Sequence, residues 1–380
     1  GKFSIEANHN ENKLIISHVG YISKKINIES FGKPLNIGSI TLENNSLDEI
    51  VITGTLREVS KLKSVVPIEL YSSDFFKSTA KTSFFEAIEA VNGVRSQLNC
   101  SVCNTGDIHI NGQDGANTMV LIDGLPMVSG LSSVYGLSGI PQSLIKQIEI
   151  IKGPASTLYG SEAIGGVINL ITKFPENVDN FSIDVFTSFW GELNIDLGSR
   201  YNLKKSQGII GINYFNYSNP IDNNGDGFTD LALQNRISIF NKIKSKNNSL
   251  AFRYFYEDRW GGQMNWNSSF RGGNQVYGES IYTSRFEVFG KYNLSENIFL
   301  QYSLNSHDQN SVYGITYYKA LQTIGFIQAV YSKKVQNHNI LLGATYRHTI
   351  YDDNTPATVQ KEKTSLPGLF IQDQLTLNKF

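Results

Sequence analysis

Cysteine is almost absent from this chain: two residues of 380, Cys100 and Cys103. A single pair so close in sequence cannot staple a fold of this size, which excludes a disulfide framework. Proline is sparse as well, nine residues beside 33 glycines. No run of about 18 apolar residues occurs, so no helix is expected to span a membrane. A membrane β-barrel stays open, because each of its strands needs only about 9–11 alternating residues. Neither sign of charge dominates, with 33 basic against 34 acidic residues, and nothing points to nucleic acid as a partner. No signal peptide is visible. Gly1 enters strand-like sequence directly, and an N-terminus lost to processing or to fragmentary sequence is the expectation. The abundant residues are aromatic, 19 Tyr and 22 Phe, many in alternating polar strings that suggest a large β-structure too long for one ordinary soluble domain.

Residues 1–43 read as a short β-module, with "KLIISHVGYISKKINIE" and "LNIGSITLE" as strand runs. The stretch "NNSLDEIVITGTLREVSK" then opens acidic, passes through a β-branched run and turns polar after Gly54. From about Ser64 to Lys173 strands alternate with helix-like pieces. "SFFEAIEAVNGV" has helical spacing and stops at Gly93, a common helix terminator. "IHING", "TMVLIDGLPM" and "IKQIEIIKG" are strand-like, with Asp123-Gly124 as a turn signal.

Beyond Asn177 the period becomes two. Apolar residues alternate at Phe181, Ile183 and Val185, at Leu250, Phe252, Tyr254 and Tyr256, and at Tyr282, Phe286, Val288 and Tyr292. Further rows run through Ile298, Leu300, Tyr302 and Leu304, then Ile340, Leu342, Ala344 and Tyr346. One apolar and one polar face per strand is the signature of a pleat. The connections sort into short polar turns ("LKKSQ", "KSKNN", "LSEN", "KVQNH") and longer ones. The longer set is "NPIDNNGDGFTD", "DRWGGQMNWNSSFRGGNQVYGES", "DQNSVYGITYY" and "YDDNTPATVQKEK". Short turns at one end and long loops at the other describe an outer-membrane barrel better than a soluble sandwich. About ten strands are expected before Phe380. Ten would close too narrow a barrel to hold a further domain of some hundred residues, so the chain is expected to be a fragment.

The stretch "IEIIKGPASTLYGSEAIGGVINLITK", preceded by "TMVLIDGLP", resembles the plug signature of TonB-dependent outer-membrane receptors. "LDEIVITGT" resembles their Ton box, here Asp48, Glu49, Ile50, Val51, Ile52, Thr53 and Gly54. Residues 1–43 are similar to the end of the carboxypeptidase-regulatory-like domain that precedes the Ton box in many such receptors. The resemblance implies a mainly β chain: that domain over 1–43, a linker with the Ton box over 44–63, an α+β plug over 64–175 and an incomplete transmembrane antiparallel barrel over 176–380. Glycine in the plug signature then has a shaping role, allowing tight turns and close backbone approach at Gly153, Gly160, Gly165 and Gly166. Ile168, Leu170 and Ile171 are expected to pack the plug sheet. The family often has Arg-Gly where this chain has Asn111-Gly112, which puts a usual plug-to-barrel ion pair in doubt. The Ton box implies a TonB-type partner: a short exposed strand from Glu49 to Thr53 would add to the edge of a partner sheet and be pulled.

"DNNGDGFTD" carries oxygen donors at alternate positions. Asp222, Asn224, Asp226, the Phe228 carbonyl and Asp230 fall at positions 1, 3, 5, 7 and 9 of a Ca²⁺ loop, with Gly227 at the turn. Leu233 stands where the twelfth-position Glu belongs, so this is no EF-hand; the bland reading is an acidic surface turn. Under the resemblance, Cys100, Ser101, Val102 and Cys103 lie in an apical plug loop. With Met127, Tyr135, Trp260 and Trp266 they make the candidate ligand contacts. The cysteines read either as a local disulfide or as a contact to a soft metal or metal chelate. Two thiolates alone under-coordinate Zn²⁺ or Cu⁺, although His109 is close in sequence. Trp260, Trp266 and Tyr277 could equally anchor at a membrane interface. His307 and His348 invite a haem reading, or are simply polar wall residues.

The function these features imply is not enzymatic. It is active import of a metal-chelate nutrient across an outer membrane, with lipid around the barrel. Cobalamin is narrowly favoured on the "YGSEAIGGVINLIT" wording and the acidic loop, and ferric siderophore or haem is the alternative. A glycan importer is disfavoured because Thr55-Leu-Arg57 replaces the usual Gly-Tyr-Gly. An adhesin barrel would not need a Ton box.

Overall fold

The computed structural model describes residues 13–16, 24–27, 37–41, 49–79, 81, 84–100, 105–126 and 139–377. Strands β1 (Lys13–Ile16) and β2 (Lys24–Asn27) form an antiparallel hairpin; most of the expected N-terminal module lies outside the described residues. A second, very short hairpin joins β3 (Ile50–Val51) to β4 (Val59–Ser60).

The plug follows. Strand β5 (Glu69–Ser72) runs into helix α1 (Ser73–Lys77), whose first turn is capped by the Ser72 hydroxyl accepting from Phe75 N at 3.2 Å. The helix expected in "SFFEAIEAVNGV" is shorter than its pattern. One turn, α2 (Phe84–Ala87), passes into a 3-10 turn over Ile88–Ala90. Phe84, Phe85, Ala87 and Ile88 all bury, which covers more than one helical face, and Gly93 at φ +73° turns the chain. A hairpin of β6 (Val94–Cys100) and β7 (Thr105–Ile110) comes next. The sheet is completed by β8 (Thr118–Ile122), β9 (Leu125–Pro126), β10 (Ile145–Lys152) and, after helix α3 (Ser156–Tyr159), β11 (Gly166–Thr172). Its order is β5-β10-β11-β8-β9, with only β11 and β8 parallel. Both faces of β11 are covered, so its sequence is nearly continuous in apolar residues. Ile168, Leu170 and Ile171 are buried there, each worth about 1.5–3 kcal/mol. Gly166 shows why glycine is needed: at φ +153° a Cβ would collide with the Ile151 carbonyl of the paired strand.

Ten antiparallel strands form the wall: β12 (Phe181–Thr187), β13 (Leu193–Leu203), β14 (Ser206–Tyr217), β15 (Leu233–Lys244), β16 (Asn248–Gly262), β17 (Gly278–Asn293), β18 (Ile298–Tyr313), β19 (Thr316–Val335), β20 (His338–Asp353) and β21 (Glu362–Leu375). Each pairs with the next in sequence. Their polarity is inverted relative to a water-soluble sheet. Phe181, Ile183, Val185, Leu250, Phe286, Ile298, Leu304 and Leu342 are exposed on the outer face. Asn213, Arg236, Arg253, Glu257, Glu287, Asn305 and Gln309 are buried on the inner one. That arrangement suits a sheet with an apolar medium outside and a plug within. Plug and wall share one core, in which Ile88, Leu144 and Ile148 cluster with Ile209, Phe240, Ala251 and Phe289 of the wall. The approach is close enough that a Cβ at Gly211 would strike the Leu144 and Pro141 side chains.

Connection lengths differ from expectation. "DQNSVYGITYY" is not a long loop: β18 and β19 continue through it to a two-residue turn, with Tyr313 opposite Thr316. Its alternation of polar and aromatic residues serves the ladder as well as a loop, so composition misplaced the boundary. Residues 263–277, the loop between β16 and β17, are likewise fewer than the polar stretch suggested, because β16 runs on to Gly262.

Candidate functional site: a docked strand and a charged wall

Glu149 is a lone acid in the apolar run "IKQIEIIKG", and Asn169 a lone amide in "GVINLIT". Neighbouring positions on β10 and β11 pair the two residues. Both are fully buried, so each must find partners. The partners come from the strand expected to be the Ton box, at Ile50–Thr53. Glu149 accepts from Ile52 N at 2.9 Å, from Thr53 N at 2.8 Å and from the Thr53 hydroxyl. Gln147 Nε2 donates both to the Ile50 carbonyl at 2.7 Å and to Glu149 at 2.8 Å. Asn169 Nδ2 donates to the Thr53 hydroxyl at 2.9 Å, and the Tyr159 hydroxyl donates to the Thr53 carbonyl at 2.8 Å. Burial, with the Glu149 carboxylate nearby, holds the Tyr159 phenol far above its ordinary range, so it remains a donor.

Apolar contacts complete the docking. Val51 is wholly buried among Ile68, Met119, Leu121, Ile151 and Val167. Leu56, in the left-handed region at φ +57°, buries against Phe299, Val330 and Leu341 of the wall. A non-glycine residue held there stores backbone strain that the surrounding packing sustains. The expectation of an exposed Ton box strand is therefore corrected. Ile50 is half-exposed, but Val51 and Thr53 are at 0%, because a short β-branched run beside a polar-centred sheet gains more from burial than from solvent. Asp48 lies outside the described residues; Gly54 sits beside Ser64 and Ile68. Under the strand is a cavity of about 360 Å³ whose lining includes Ile52, Arg57, Lys146, Lys242, Phe289 and Lys291.

The box lies at the short-turn end of the wall. Arg57 donates to the Glu296 carbonyl in the β17–β18 turn, and Gln374 near the end of β21 donates to the Lys63 carbonyl. Plug and wall are also joined by ion pairs, Lys242 with Asp123 at 2.8 Å and Arg347 with Glu162 at 2.9 Å, while Lys244 at the foot of β15 pairs with Glu176 at 2.7 Å. Within the wall, buried carboxylates find cations on their own and adjacent strands. Glu287 pairs with Arg253 and Arg285, and Glu257 with Arg259 and, at 3.8 Å, Arg236.

The other expected sites fare differently. In the Asp222 loop, Asp222 accepts from the backbone N–H of Gly225, Asp226 and Gly227, while Asn224 accepts from Asp226 N. Asp226 accepts from Phe228 N, and Asp230 from Asn223 N. The carboxylates cap their own loop, and among the described residues no three His, Cys, Asp or Glu side chains converge as a metal-holding group. Trp260 is a correction. It lies within β16 rather than in the loop, on the face opposite Arg259 and packed toward Leu233, so it faces away from the plug. Trp266 does lie in the loop, its indole over Gly278. Ser101, Val102, Cys103, Met127, Tyr135 and the Cys100 side chain lie outside the described residues. His307 is buried on the inner face, whereas His348 is on the outer one beside Tyr346, so the two cannot grip one ligand.

A small five-stranded sheet thus sits within a polar-lined β-wall, with an N-terminal strand held to it by side chains. A model of the TonB-dependent receptor plug domain matches residues 60–167. The chain is 34% identical over 154 residues to the ferric enterobactin receptor PirA of Pseudomonas aeruginosa, an alignment covering 37% of this chain and 20% of that protein. Its fold is similar to the crystal structure of the siderophore receptor PirA from P. aeruginosa, with a TM-score of 0.57 and 17% identity over 82% of this chain and 55% of that one. It is also similar to the ferric-catecholate import receptor Fiu of E. coli, with a TM-score of 0.55 and 14% identity over 78% and 51% of the two chains. Residues 60–167 carry the plug domain of the TonB-dependent receptors, a family of receptors rather than enzymes. The chain spans about half the length of those solved structures and a fifth of the curated relative.

Proposed function

We propose that this chain is the plug and part of the barrel of an outer-membrane transporter that imports a ferric siderophore, driven by a TonB-type protein pulling on the Ton box. The observation that carries the reading is the Ton box strand itself, held to the plug chiefly by side chains at the short-turn end of an inside-polar wall. Such a strand can be exchanged for the edge of a partner sheet without unravelling the plug's own ladder. The names of the relatives move the substrate from cobalamin to ferric siderophore, and cobalamin becomes the competing outcome. Haem loses its support, because His307 and His348 face opposite ways. We assign residues 1–43 to a carboxypeptidase-regulatory-like module, 44–63 to the Ton box linker, 64–175 to the plug and 176–380 to the barrel. The Asp222 loop is proposed to take Ca²⁺ on its ligand spacing, which requires Asp226 and Asp230 to swing off the N–H groups they cap. The test is uptake of ⁵⁵Fe-enterobactin and of labelled cobalamin by iron-starved cells whose only such receptor is the full-length protein, with and without a functional TonB. TonB-dependent iron uptake is expected. Cobalamin uptake without iron uptake would overturn the substrate, and TonB-independent uptake would overturn the coupling.

A further inference from the structure

The cavity of about 360 Å³ beneath the strand at Ile50–Thr53 has walls of two kinds. Leu125 and Ile171 of the plug and Ala251, Phe289 and Phe299 of the wall are buried and give it apolar sides. Its cations differ in how they are answered. Lys242 Nζ lies 4.6 Å from the centre of the Phe174 ring and pairs with Asp123. Lys291 Nζ lies 3.9 Å from the centre of the Phe299 ring and, among the described residues, has no carboxylate within ion-pair distance. The Arg57 guanidinium donates to the Glu296 carbonyl at 3.2 Å and, among the described residues, to no carboxylate. Lys146, Glu58 and Glu296, the remaining charged residues of the lining, are exposed.

A third group joins these two cations. Gln301, only 5% exposed, lines the same cavity, and its Oε1 is buried without a partner among the described residues. A buried polar atom left so costs about 1–3 kcal/mol, and such atoms are rare in folded proteins. Lys291 and Gln301 are opposite partners in the β17–β18 ladder, so their side chains stand together on the inner face. Arg57 donates to the turn that joins those two strands. Two cations and an amide therefore gather at the foot of one hairpin. The latch draws on none of them, since its bonds come from Gln147, Glu149, Tyr159 and Asn169. A volume of this size with apolar walls and a few polar groups is usual for a small-molecule site.

We propose that this cavity binds a small organic anion, one carboxylate on a compact apolar body, with its charge taken by Arg57, Lys291 and the Gln301 amide. Cations that lack an acid select a negative ligand, and a partly desolvated site strengthens the attraction. The amide carries donors for the carboxylate oxygens as well as its own acceptor. Leu125, Ile171 and Phe289 receive the apolar body, which a bare inorganic anion does not have. Arg57 belongs to the connection between β3 and β4, whereas Lys291 and Gln301 belong to the wall. A bound anion thus ties that connection to the wall and opposes withdrawal of the strand from its latch. The site goes beyond the transport reading and depends on neither the cargo nor a TonB-type partner.

The test is hydrogen exchange at the Ile52 and Thr53 amides of the full-length receptor in neutral detergent. Three probes are added at equal concentration: 2-naphthoate, the uncharged 2-naphthylmethanol, and acetate, which has the charge without the body. Naphthoate is expected to slow exchange at both amides, by about tenfold at ten times its Kd, with β18 and β19 unchanged. The other two probes are expected to slow it far less. The ratio of rates without and with naphthoate should fall to about one in Lys291→Gln and, separately, in Arg57→Gln. No slowing by naphthoate, equal slowing by naphthylmethanol, equal slowing in β18 and β19, or a ratio unchanged in both variants would each overturn the site. Exchange needs no energised partner and no iron, so a failure of ⁵⁵Fe-enterobactin uptake bears on the transport reading alone.

Discussion

The Ton box strand and the barrel wall are both β-structure, yet they are held by opposite means. Each wall strand is joined to its neighbours by a long backbone ladder, sixteen registered pairs between β18 and β19. Strand β3 has two registered pairs with β4, and its other side is fastened by Gln147, Glu149, Tyr159 and Asn169. A ladder resists pulling along its whole length, whereas a side-chain latch can let go within a few residues. The wall is held by its ladder and the strand at Ile50–Thr53 by a latch of side chains.

Four substitutions would break or sharpen that contrast. The largest effect is expected from Ile50→Pro, which removes an N–H from the strand a partner must pair with. Uptake should collapse while surface binding of ligand persists; normal uptake would sink the coupling role of β3. Next is Glu149→Leu, which fills the space but leaves the Ile52 and Thr53 N–H groups buried without their acceptor. At about 1–3 kcal/mol for each, hydrogen exchange at each of those amides should accelerate by roughly 5- to 150-fold while β18 and β19 are unaffected. Equal acceleration in plug and wall would mean that Glu149 supports the fold rather than the latch. Smaller is the outer loop. Asp226→Asn should abolish any tightening of ligand binding by added Ca²⁺, and identical wild-type affinity with and without chelator would reduce that loop to a capped turn. The smallest is Lys61→Ala, since the Glu49–Lys61 pair at 2.7 Å is more than a third exposed on both sides. Its loss should alter stability by only about 0–1 kcal/mol, readable as an unchanged midpoint in urea.

The wall was legible in the sequence because a pleat buried on one face writes its period into every second residue. Rows such as Leu250, Phe252, Tyr254 and Tyr256 could belong to nothing else. The latch was not legible. Thr53 and Glu149 are 96 positions apart, and no local pattern announces such a pair. The available signal was negative: an acid and an amide stranded in apolar strands, which burial would force to find partners. The strand from Glu49 to Thr53 was expected in solvent, since its length says nothing about what lies beneath it. Trp260 was misread because an aromatic near a loop looks the same whether it faces ligand or lipid, and only the register of β16 decides.

The two-residue turn between β18 and β19 has a consequence for which parts of the rim can move. A 16-residue strand is about 53 Å long, and at a tilt of 35–45° it rises about 40 Å, beyond the roughly 30 Å of a bilayer's hydrocarbon. This hairpin therefore stands above the surface as a stiff post, with Gly314 at φ +59° forming its tip. A post cannot fold down over a bound molecule. Among the described loops at this end, any closing of the mouth falls to the chain at 218–232, 263–277 and 354–361, beside a support that does not yield.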